Sequence, residues 1–260
     1  LLDALRANGL TSEGPLSLII AAGRSNNDLL AKLKVLSSAG ITTDSDLAKG
    51  LRSGRSADEI LKLREDLRVR GITDRRHVSD VILSNRPPGE TLRLIDDLQR
   101  MGMREPANLV KVFKSRRTRG ELLARVRLLR EAGLSNWLYV SELLKAKRSD
   151  EELRELLPKL QERGITQGVH LMRILRSSRT PAEILTLIER VRALGLTSPV
   201  HVVEAFGSHR TPEEVAALIP ALQARGIEKP THIARILRTR HSQEDISATL
   251  DVLTGAGIPG

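Results

Sequence analysis

The chain has 260 residues and carries 42 Lys and Arg against 32 Asp and Glu, a formal net charge of +10 with a pI near 10.5. It holds no cysteine, which excludes disulfides, thiolate chemistry and thiolate metal sites. Only 2% of residues are aromatic, so the core must be built from Leu, Ile, Val and Ala. The longest apolar stretch, around Leu16 to Ala22, is far too short to cross a bilayer. The positive excess therefore points to a polyanion, either nucleic acid or a membrane surface. There is no secretory signal and the first residue is Leu1, so the sequence reads as a piece excised from a longer chain.

Read from the N-terminus, one glycine recurs. Gly9, Gly40, Gly71, Gly102, Gly133, Gly164, Gly195, Gly226 and Gly257 stand 31 residues apart without a slip. Numbering this glycine as position 12 divides the chain into a partial repeat 1–28, full repeats 29–59, 60–90, 91–121, 122–152, 153–183, 184–214 and 215–245, and a partial repeat 246–260. A fixed period in this range is the signature of a stacked-repeat architecture. The strict length suggests that superhelical pitch matters, as it would for a protein kept in phase with another periodic polymer.

Each repeat reads as two helices. The first opens on a capping box: Ser56 with Glu59, Ser149 with Glu152, Thr180 with Glu183, and Thr211 with Glu214. Pro181 and Pro212 occupy the first helical position, where the missing N–H costs little. Apolar residues recur at positions 1, 4, 5 and 8, a helical stripe, and Gly at position 12 ends the helix in a left-handed C-cap. The second helix is expected after Thr or Ser at position 14 (Thr11, Thr42, Thr73, Ser135, Thr166, Thr197), with apolar positions 19, 22 and 23. Neither helix can bury its stripe alone. The predicted fold is all-α, a single right-handed α-solenoid or superhelix of two-helix repeats over residues 1–260.

The charge is concentrated at positions 24 to 27, where the second helix ends. These columns hold 15 Lys and Arg, two His and no acid; the rest of the chain has 27 basic and 32 acidic residues. Position 27 is Arg24, Arg55, Arg86, Arg117, Arg148, Arg179, Arg210 and His241, and position 24 adds Arg52, Lys114, Lys145, Arg176 and Arg238. Both sets are candidate phosphate ligands, because a planar guanidinium donates to two phosphate oxygens at once. Position 26 varies most (Gly23, Gly54, Asn85, Arg116, Lys147, Ser178, His209, Arg240), which suits a residue facing the bases. A structural reading competes for position 27. Cations are favoured at helix C-termini, and Arg there can cap carbonyls or pair with Glu at position 31.

Other chemistries find less support. His77, His170, His201 and His232 share position 18, far apart and without the convergent partners zinc requires, so surface or inter-repeat packing is expected. Trp137 and Tyr139 stand in one repeat only, and no glycine-rich phosphate loop occurs. No cofactor, metal, small-molecule substrate or enzymatic activity is expected. Membrane-surface binding needs large apolar residues opposite the charges, and here the apolar stripes are taken by stacking.

The segments Leu156-Leu-Pro-Lys-Leu-Gln-Glu-Arg-Gly164-Ile-Thr166 and Leu218-Ile-Pro-Ala-Leu-Gln-Ala-Arg-Gly226-Ile resemble the end of a TAL-effector repeat, and Leu194-Gly-Leu-Thr197 continues the likeness. Pro158 and Pro220 match that family's mid-helix proline. The resemblance implies two-helix units whose inter-helix loops line a superhelix and read one DNA base per repeat, which would put positions 25 to 27 on the DNA side. Those repeats are longer than 31 residues and carry a Gly pair after the specificity residues, where this chain has Arg followed by Ser, Thr or another residue, so the base code does not carry over. Mitochondrial-transcription-terminator-like repeats also look similar through Leu-x-x-x-Gly-Leu-Thr at a helix junction. Both families bind nucleic acid.

The expected function is modular binding of nucleic acid, double-stranded DNA ahead of RNA, by a monomer. The alternative is an α-solenoid scaffold that grips an acidic protein partner along the same stripe. The nucleic-acid reading implies an intracellular location, a bacterial cytoplasm or, for an effector, a host nucleus.

Overall fold

The computed structural model describes residues 2–7, 10–21, 23–84, 86–207, 210–239 and 241–256. Gly9 and Gly257 of the repeat column, and Asn85, His209 and Arg240 of the variable column, lie outside the described residues. The described residues form seventeen α-helices and no strand. After α1 (Leu2–Ala7), two kinds of helix alternate. The long first helices are α3 (Asn26–Ser38), α5 (Ala57–Val69), α7 (Pro88–Arg100), α9 (Arg119–Glu131), α11 (Asp150–Glu162), α13 (Pro181–Ala193), α15 (Pro212–Gln223) and α17 (Gln243–Gly255). The shorter second helices are α2 (Glu13–Ala21), α4 (Asp44–Arg52), α6 (Arg75–Ile82), α8 (Pro106–Val112), α10 (Trp137–Leu144), α12 (Gly168–Leu175), α14 (Pro199–Ala205) and α16 (Pro230–Leu237).

Local sequence accounts for the helix boundaries. Ser56, Ser149, Thr180 and Thr211 each close a reciprocal capping box with the glutamate three residues on. The glycines from Gly40 to Gly226 end the first helices with φ between 69 and 97°, a region closed to other L-residues without strain. In the first of these turns the Gly40 N–H donates to the Ser37 carbonyl (2.9 Å) and the Ile41 N–H to the Leu36 carbonyl (3.0 Å). This is a Schellman turn, and it buries Leu36 against Ile41. The same bond pair closes the turn at Gly164.

The start of the second helix differs from expectation by one residue. Its N-cap is position 15, not 14: Thr43, Asp74 and Asn136 accept from backbone N–H groups of the first turn. The reason is geometric. The buried residue after the glycine turn leaves position 14 extended and exposed, as at Thr42, and one further residue is needed before the chain can coil.

The chain divides into two compact units, Leu1–Ala124 and Arg125–Gly260. In the first, α3 packs on α4 and α5, α5 on α6 and α7, α2 on α4, and α6 on α8. In the second, first helices follow one another from α11 to α13 to α15, and second helices from α10 to α12 to α14 to α16, with cross-packing between the rows. Each unit is thus two layers of helices around an aliphatic core. Leu29, Ile60, Leu122, Leu153, Ile184 and Val215 at position 1 are all buried, each worth about 1.5–3 kcal/mol. Position 4 is buried too in the full repeats, and it contains two surprises, Lys32 and Arg125, both fully buried.

Candidate nucleic-acid interface

The four loop columns have the same backbone setting, at the C-terminal end of a second helix, where carbonyls are left without intrahelical donors. Position 25 satisfies one of them locally. The hydroxyls of Ser53, Ser84, Ser177 and Thr239 donate to the carbonyls of Gly50, Val81, Ile174 and Ile236 at 2.7–2.8 Å.

Position 27 satisfies others across the repeat junction. Arg148 donates from Nε to the Leu175 carbonyl (2.8 Å) and from one terminal nitrogen to the carbonyls of Ser177 (2.9 Å) and Arg179 (2.7 Å). Arg210 donates to the equivalent carbonyls from its terminal nitrogens, one to Leu237 (2.7 Å) and Thr239 (2.8 Å) and the other to His241. Arg55 reaches the carbonyls of Ile82 and Arg86, Arg86 those of Ser115 and Arg117, and Arg179 that of Arg210. Arg24 donates to the Ser53 carbonyl (2.7 Å). Pairing with position 31 is present as well, in Arg86 with Glu90 (2.7 Å) and Arg148 with Glu152 (3.5 Å). Burial pushes the Arg55, Arg148, Arg179 and Arg210 guanidiniums below their usual pKa, opposed by Glu59, Glu152, Glu183 and Glu214. They stay charged even so.

This placement corrects the expectation that Arg55, Arg86, Arg148, Arg179 and Arg210 form a spiral of free phosphate ligands. A guanidinium already forked over the carbonyls of the next repeat has few donors left for a ligand, because its geometry is planar and rigid. His241 is exposed and accepts from Arg210 only through its carbonyl. Arg117 is half-buried, its N–H donating to Ser115 Oγ (3.3 Å).

The buried cations at position 4 belong to the same system. Arg125 donates to the carbonyls of Ala146 (3.3 Å) and Arg148 and pairs with Asp150 (3.1 Å). Lys32 donates to the Ser53 carbonyl (3.2 Å) and pairs with Asp28 (3.4 Å). Burial lowers the Lys32 pKa, with Arg24 adding to the shift and Asp28 opposing it. Both residues are legible in the sequence as breaks in a column that is otherwise leucine in the full repeats.

The position-24 cations are exposed, apart from half-buried Lys145, and most are paired. Lys114 meets Asp80 (3.2 Å), Lys145 and Arg176 meet Glu142 (2.9 and 3.3 Å), and Arg238 meets Glu204 (3.4 Å). Arg52 is exposed, with no side-chain partner found among the described residues. Among the described residues of position 26, Gly23, Gly54, Arg116, Lys147 and Ser178 are all exposed. Arg116 and Lys147 have no side-chain partner among the described residues. Between the loops 145–148 and 176–180 lies an open cleft of about 530 Å³, bordered by Lys145, Lys147, Arg176 and Ser178.

Of the position-18 histidines, His170 is buried, His77 and His201 are half-buried and His232 is exposed. Among the described residues no group of His, Cys, Asp and Glu is arranged to hold a metal ion. His170 is buried, and burial together with Arg173 lowers its pKa against the pull of Glu204. The Arg130 guanidinium stacks on Trp137 at 4.8 Å, and the Tyr139 ring lies so close to Gly168 that a Cβ there would sit 2.6 Å from it. No helix among the described residues is long and apolar enough to cross a membrane. No protein-family model, curated protein or solved structure was found to match the chain.

Proposed function

We propose that the chain is a modular nucleic-acid-binding protein, with double-stranded DNA preferred to RNA, that uses the exposed columns 24 and 26 of its loops. The observation that carries this reading is the contrast within the loops 52–55 and 176–179. There position 25 (Ser53, Ser177) is tied to its own helix and position 27 (Arg55, Arg179) to the next repeat, while the residue between them (Gly54, Ser178) is displayed to solvent. A variable side chain on a pinned backbone is what repeat-by-repeat readout needs, since ordering it costs little on binding. The flanking cations Arg52, Lys114, Lys145, Arg176 and Arg238 supply sequence-independent attraction to phosphates, and Arg116 and Lys147 in the variable column add donors suited to guanine O6 and N7. Arg55, Arg86, Arg148, Arg179 and Arg210 hold the loops in place instead of touching the ligand.

Fluorescence-anisotropy titration against random-sequence duplex DNA and single-stranded RNA, at three salt concentrations, tests this. Binding to the duplex should weaken with salt at a slope of roughly −3 to −6, at about −0.9 per phosphate neutralised. No binding to either polymer at low salt would overturn the reading in favour of a scaffold for an acidic protein.

A further inference from the structure

The acids that hold the column-24 cations follow a rule with a two-repeat period. At position 21 of the second helices the charge alternates along the chain: Lys49, Asp80, Lys111, Glu142, Arg173, Glu204, Arg235. Position 24, one turn later on the same helix, tracks it. Every repeat with a cation at 21 has a second at 24 (Arg52, Lys114, Arg176, Arg238), whereas the acidic repeats carry Leu83, Lys145 and Gly207. A repeat with two cations on one turn therefore always neighbours a repeat with an acid there.

In residues 125–260 these charges form two clusters. Glu204 is held by Arg173 of the preceding repeat (3.1 Å) and by Arg238 of the following one (3.4 Å). Arg238 reaches it by lying over Gly207, where a Cβ would sit 2.9 Å from Arg238 Cγ. Glu142 is held by Lys145 and Arg176. The exposures differ within each cluster. Glu142 and Glu204 are only 14% and 19% exposed, while Arg173, Arg176 and Arg238 are 42%, 54% and 59% exposed. The carboxylates lie beneath and the guanidiniums lie over them towards solvent. An anion arriving from solution meets the cations first and competes with a carboxylate already in place.

We infer that Glu142 and Glu204 are built-in counter-ions that compete with nucleic-acid phosphate for Arg173, Arg176 and Arg238, so that backbone contacts fall in alternate repeats and affinity is held below what the cations alone would give. This rests on the nucleic-acid reading above. In residues 1–124 Asp80 pairs with Lys114 at 3.2 Å, but there carboxylate and ammonium are both exposed. The guanidinium side of each pair stays open to solvent, so a phosphate can exchange with the carboxylate for it.

The test compares two charge-matched double variants in random-sequence duplex DNA binding at one fixed salt concentration. Glu142→Gln with Glu204→Gln should tighten binding about threefold to tenfold. Glu162→Gln with Glu228→Gln, which removes two exposed acids away from the clusters, should change it less than about twofold, a screened net-charge effect alone. Equal tightening by both pairs, or none by the first, overturns the counter-ion role while leaving the nucleic-acid reading intact. A wild-type chain that fails to bind at low salt overturns both. If thermal melting shows the first pair unfolded at the assay temperature, Arg235→Glu is read instead. It places a carboxylate one turn from Arg238 and should weaken binding about threefold more than Arg104→Glu; equal weakening overturns the proposal.

Discussion

Lys147 and Arg148 are chain neighbours with the same charge and opposite placements. Lys147 extends into solvent, while Arg148 is 6% exposed and donates to three carbonyls of the next repeat. A stripe of cations counted from the sequence is therefore two things, an inward ladder that joins repeats and an outward set available to a ligand. Charge count alone merges them, because a capping arginine keeps its charge while losing its free donors.

The sharpest way to break this comparison is to truncate both residues. Arg148→Ala should destabilise the protein by about 2–4 kcal/mol, since it strands buried carbonyls whose bonds to a charged donor are worth roughly 1.5–3 kcal/mol each. Urea unfolding measures it, and an unchanged midpoint would return Arg148 to the phosphate ligands. Arg125→Leu, which restores the apolar residue usual at position 4, should still cost about 1–3 kcal/mol, because the carbonyls of Ala146 and Arg148 lose their donor. A variant as stable as the parent would show that the buried cation is dispensable.

His170 gives a smaller, pH-dependent effect. Its pKa is lowered in the folded state, so the unfolded chain binds the proton more readily near pH 6.5 and stability rises with pH there. Lowering the pH from about 7.5 to 5.5 should thus lower the melting temperature of the parent more than that of His170→Gln. Parallel curves would remove histidine from the explanation. Lys147→Ala should be smallest in stability, within about 0.5 kcal/mol, yet it should reduce the salt slope of DNA binding by about 0.9. A slope equal to the parent's would exclude Lys147 from the interface.

Local rules made much of the fold legible. The capping boxes at Ser56, Ser149, Thr180 and Thr211, the left-handed glycines and the columns 1, 8 and 13, buried in the full repeats, all follow from interactions spanning a few residues. The site was legible only as a set of columns. Which cations were engaged was not, because Arg148 acts 27 to 31 residues away and its neighbour Lys147 differs from it in no local signal. One further pattern was open to reading: the alternating sign at position 21, whose acids hold Lys114, Arg176 and Arg238. It escapes a column-by-column reading because its meaning lies between consecutive repeats.

By itself, then, the sequence determined the 31-residue spacing, the two helices of each repeat and the caps of the first, since these depend on backbone hydrogen bonds closed within one or two turns. Only the tertiary structure decided which arginines face inward. A long flexible side chain at a helix C-terminus can serve solvent or a neighbouring backbone equally well, and the choice falls to whether the next repeat brings unpaired carbonyls within its reach.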